Sequence, residues 1–68
     1  MVNTDKLRGL IAEKNLSQKA VAQELGISKK TMTNKMQNGK FSNDEMDKLI
    51  KLLEIKDPVA IFFAQLVT

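Results

Sequence analysis

The chain has 68 residues, a net charge of +3, and neither cysteine nor histidine. Disulfide staples are therefore excluded and the usual zinc ligands are missing, so a domain of this size folds on an economical core, completed if at all by a partner subunit. The longest strongly apolar stretch, Val59 to Val67, is far shorter than the ~20 residues that cross a bilayer, and no basic start leads into an apolar run, which gives the expectation of a cytoplasmic protein.

The sequence reads as one all-α domain over residues 1–68, with five short helices and tight links. No run alternates apolar and polar residues for long enough to argue a strand. The first helix is predicted from about Thr4 to Lys14, burying Leu7, Leu10 and Ile11, with Asn15 stopping it in the left-handed conformation. The second runs from Gln18 to Leu25 and ends at Gly26, and the third runs from Lys29 to about Asn38 and ends at Gly39. The fourth runs from Asn43 to about Glu54, with Met46, Leu49, Ile50 and Leu53 at core spacing. The fifth opens at Asp57-Pro58, a cap followed by proline at the first helical position, and extends to about Val67.

The first four starts share one signature. Asn3, Ser17, Ser28 and Ser42 can each accept a hydrogen bond from an unpaired N–H of the first turn. Each has an apolar residue just before it and another four positions after it, pairing Val2 with Leu7, Leu16 with Val21, Ile27 with Met32, and Phe41 with Met46. That is the spacing of a hydrophobic staple, and Glu45 adds a capping box to Ser42. The acids Asp44, Glu45 and Asp47 are read as complements to the dipole of the fourth helix rather than as a catalytic cluster.

Charge is unevenly spread. From Lys14 to Lys40 six lysines face a single acid, Glu24, whereas residues 41–68 hold five acids and three lysines. A basic middle is the electrostatic footprint of a polyanion binder. The stretch Gln18 to Gln37, QKAVAQELGISKKTMTNKMQ, gives this charge a scaffold. Its short link, Gly26-Ile27-Ser28, forces the two flanking helices to cross steeply, and Ala22 is the small residue such a crossing needs. Met32 locks the third helix onto the second. The rest of that helix is Lys29, Lys30, Thr31, Thr33, Asn34, Lys35, Gln37 and Asn38, without one acid. Lysine can donate to guanine, asparagine can pair with adenine, and a threonine methyl can touch thymine.

Leu16-Ser17-Gln18, Val21-Ala22, Leu25-Gly26-Ile27-Ser28, Met32 and Asn38-Gly39-Lys40 together resemble the helix-turn-helix of the phage Cro and repressor family, the xenobiotic-response-element-type regulators. The likeness extends over most of the chain. It implies a compact five-helix, lambda-repressor-like domain in which the third helix enters the major groove of a double-stranded operator. Carried over by position, it implies that Gln18 grips a phosphate at a helix N-terminus. Lys29, Lys30 and Asn34 would face bases, flanked by Thr31 and Thr33, while Lys35, Asn38 and Lys40 would lie along the backbone beyond. Ser28 is a cap first and a phosphate contact second. A regulator in a bacterial or phage-infected cell is the implied setting, with the 68 residues expected to carry no sensor or self-cleaving domain.

The fifth helix is apolar almost all round. The family register sends Ile61 and Phe62 inward, which leaves Val59, Phe63, Leu66 and Val67 uncovered and points to a homodimer. Two recognition helices would then meet successive major grooves of a palindromic operator. The competing reading is an antitoxin-like regulator that works mainly by binding a protein. Enzymatic chemistry lacks parts, because there is no histidine, no cysteine and no carboxylate cluster outside the helix caps. No metal, cofactor or small-molecule ligand is expected.

Overall fold

The computed structural model describes residues 2–63 and contains five α-helices in that span: α1 (Thr4–Glu13), α2 (Gln18–Leu25), α3 (Lys29–Asn38), α4 (Asn43–Leu53) and α5 (Pro58–Phe62). Every start is held by its expected cap. Asn3 Oδ1 accepts from the Lys6 N–H, Ser17 from Ala20, Ser28 from Thr31, Ser42 from Glu45 and Asp57 from Ala60, at 3.0–3.4 Å. Each bond satisfies a donor that a helix cannot pair internally. The staple residues Val2, Leu7, Val21, Met32 and Phe41 are buried.

The helix ends are as specific as the starts. Asn15, Gly26, Gly39 and Glu54 all adopt positive φ. After α2, the Gly26 N–H donates to the Gln23 carbonyl at 3.1 Å and the Ile27 N–H to Ala22 at 3.0 Å, which closes a Schellman motif. A Cβ on Gly26 would meet nothing within 4 Å, so glycine is needed there for its φ of 74° and not for space. The fourth helix ends one residue before the sequence expectation. Glu54 takes φ 53° so that the Ile55 N–H can reach the Ile50 carbonyl and Ile55 can enter the core. Lys14 forms an ion pair with Glu54 across the C-terminal ends of α1 and α4. Asp47 lies beyond the first turn of α4 and pairs with Lys51 at 3.1 Å.

Helix α2 packs on α3 and α4, while α1 packs on α5. The core runs through all five helices, from Leu7 and Ile11 through Val21, Ala22, Leu25, Met32 and Met36 to Leu49, Leu53, Ile61 and Phe62. A short N-terminal strap stitches it shut. Val2 is buried and donates its N–H to the Gly39 carbonyl at 3.1 Å, and Asn3 donates to Ile61 at 2.6 Å. The strap thus joins the exit of α3 to α5.

The fifth helix is shorter than its apolar pattern predicts. It ends at Phe62, and Phe63 leaves the helical region at φ −129°, ψ 47°. Ile61 and Phe62 already fill the core and Phe63 is exposed, so continued helix gains no burial there. The remainder of the predicted span to Val67, including Leu66 and Val67, lies outside the described residues.

Candidate nucleic-acid interface

The candidate interface is built on α3. Met32 and Met36 point into the core, and Lys29, Lys30, Thr31, Thr33, Asn34, Gln37 and Asn38 are exposed. Since helical residues three and four apart share a face, Lys30 and Asn34 line up with Thr33 and Gln37 beside them. The hydroxyls are partly committed. Ser28 Oγ accepts the Thr31 N–H at 3.1 Å and donates to Thr31 Oγ1 at 2.9 Å, which leaves the Thr31 hydroxyl its own proton to donate outward. Thr33 Oγ1 donates to the Lys29 carbonyl at 3.0 Å, so Thr33 offers chiefly its methyl.

Two further candidate residues, Gln18 and Lys40, lie outside α3. Gln18 opens α2 directly after the Ser17 cap and is half-buried, beside the unpaired amides of the helix N-terminus. At the far end, Gly39 turns the chain with φ 66°, and exposed Asn38 and Lys40 lie on either side of it. The lysines at 29 and 30 stand at the positive end of the α3 dipole, where cations are electrostatically unfavourable. No acid lies in that first turn to offset them.

Lys35 is placed differently from its neighbours. Its ammonium is 3.0 Å from Glu45 Oε1, with the side chains only 26% and 13% exposed. The same oxygen accepts the Ser42 N–H at 2.8 Å within the capping box of α4. Burial alone would raise the Glu45 carboxyl, but the Ser42 amide and the Lys35 ammonium outweigh it and hold it below its ordinary 4.5. This pairing was not legible from sequence spacing, because it arises only when α3 packs beside the start of α4. The capping-box reading of Glu45 identified the right residue and half of its bonds.

Val59 and Phe63, expected to be uncovered, are the exposed large hydrophobic residues among those described, at 49% and 41%. Ile61 and Phe62 are buried, as the register implied. Among the described residues no group of histidine, cysteine or carboxylate side chains could hold a metal ion, and no helix is long and apolar enough to cross a membrane.

Residues 6–58 match the model of the Cro/C1-type HTH DNA-binding domain. The chain belongs to that family. A two-helix unit, α2 packed on α3, with a left-handed glycine between its arms, set in an all-helical five-helix domain, is the lambda-repressor-like fold expected of such a member. Family membership establishes DNA binding and transcription regulation as the functional class. No curated protein and no solved structure matches the chain.

Proposed function

We propose that the chain is a phage-type repressor or Cro-like regulator that reads a double-stranded operator with α3 in the major groove. The observation that carries this reading is the exposed, acid-free face of α3, with two lysines held at the end of the helix where their charge is least welcome. Phosphates would relieve that repulsion. In this reading Lys29, Lys30 and Asn34 meet base edges, and Thr31 and Thr33 flank them. Gln18, Asn38 and Lys40 hold the backbone on either side, and Ser28 contributes mainly by fixing the first turn.

The apolar residues Val59 and Phe63 support a homodimer through the C-terminal region, to which Leu66 and Val67 would add. A two-fold pair would set the recognition helices about one DNA turn, roughly 34 Å, apart. Selection of bound sites from a random duplex pool tests both parts. The expected product is a two-fold-symmetric consensus with half-sites one turn apart. A pool that never enriches rejects operator recognition, and an asymmetric consensus with an unchanged affinity for Phe63→Glu rejects the dimer.

A further inference from the structure

The recognition helix has a weak apolar anchor. Its buried residues are two methionines, Met32 and Met36, and methionine is flexible enough to tolerate small rotations of the helix that carries it. The directional constraint comes from Lys35. Its carbonyl accepts the N–H groups of both Gly39, at 2.8 Å, and Lys40, at 3.3 Å, and so fixes the exit of α3. Its ammonium sits 3.0 Å from Glu45 Oε1, which is already fixed by the Ser42 N–H. Backbone and side chain of one residue therefore tie the end of α3 to the start of α4.

We infer that Glu45, acting through Lys35, is a positioning residue that sets the rotation of the recognition helix on DNA and holds the Lys35 charge back from the phosphates. This rests on the operator-binding reading above. Lys35 then contributes to discrimination between sequences and not to non-specific affinity. That separates it from Lys40, which has no ion-pair partner within α4 and stands exposed past the helix exit.

The test is a salt titration of the full chain with a selected duplex and a scrambled duplex of equal length. Three variants are compared with the unmodified protein. Glu45→Gln keeps an acceptor for the capping box and removes only the charge. It is expected to free the ammonium, steepening the salt slope on scrambled DNA by about one. It should also lower selectivity by about three- to fivefold, the scale of a lost, partly shielded ion pair. Lys35→Met should lower selectivity similarly while leaving the scrambled-DNA slope unchanged, and Lys35→Arg should retain selectivity. If Lys35→Met makes the slope shallower by about one, Lys35 is itself a phosphate contact and the inference is overturned. Unchanged selectivity in both Glu45→Gln and Lys35→Met also overturns it, while leaving operator binding intact. Should Glu45→Gln not fold, Lys35→Met decides the matter alone, since it leaves the capping box in place. Absence of duplex binding by the unmodified chain removes the operator reading and this inference together.

Discussion

Helices α3 and α4 have almost the same length, 10 and 11 residues, and are built on opposite terms. Helix α4 is locally consistent up to its C-cap, Glu54, which takes positive φ. It has a complete capping box, Asp44 and Glu45 at its positive end, Lys51 at its negative end, and an apolar stripe that buries Leu49 and Leu53 with Met46, Ile50 and Leu52 against the core. Helix α3 opens with Lys29 and Lys30, carries β-branched Thr31 and Thr33, and buries two methionines. Its stability comes from the Ser28 cap, the Gly39 exit, its packing on α2 and the Lys35–Glu45 pair to α4. The contrast teaches that α4 is optimised for the fold and α3 for a surface outside it, as expected where a functional element departs from local consistency.

Substitutions can break or sharpen this contrast. The largest effect is expected in α4. Leu49 is fully buried, and Leu49→Ala should cost about 3 kcal/mol of stability, enough to abolish cooperative unfolding of so small a domain in a denaturant titration. Next comes Asn34→Ala on the exposed face of α3. It should leave the denaturation midpoint in place and reduce discrimination for the selected site by about 2 kcal/mol. An equal loss on selected and scrambled DNA would show that Asn34 is not a base reader.

A smaller effect is set by pH. The Glu45 carboxyl titrates below its ordinary 4.5 in the folded chain. Its contribution is therefore complete above the unfolded value and is lost as pH falls through the folded one. Stability measured by urea titration should decline over that acidic window, and Glu45→Gln should flatten that part of the decline. The smallest stability change is the most diagnostic. Lys30→Glu places an acid at the positive end of α3 and should raise stability by about 0.5 kcal/mol while strongly weakening duplex binding. A loss of stability would mean that α3 is not held in an electrostatically unfavourable state.

Much of this architecture was legible because its determinants are local. A cap such as Ser17 reaches only to Ala20, and a stop such as Gly26 is written in the residue itself. The exposed face of α3 follows from the same arithmetic, with Met32 and Met36 inward. What escaped is long-range or unmarked. The Lys35–Glu45 pair joins residues in different helices, and the Val2–Gly39 and Asn3–Ile61 bonds span most of the chain. The end of α5 at Phe62 has no glycine or other stop residue to announce it, only the exhaustion of core for Phe63 to enter. The sequence pattern extends α4 to about Glu54 because an acid gives no sign that it will turn left-handed. The burial of Ile55 requires it.

The strap at Val2 and Asn3 also orders the assembly of the chain in time. During synthesis the N-terminal residues leave the ribosome first, at roughly 5–20 residues per second. The Asn3 N–H nevertheless has no partner until Ile61 has emerged. Helices α1 to α4 can collapse before then, since their caps and stops need only nearby residues. Helix α5, a single short turn-and-a-half on its own, lacks the length to persist in isolation. The Asn3–Ile61 end of the strap therefore waits for α5, whereas Val2 can fix the exit of α3 as soon as Gly39 is in place.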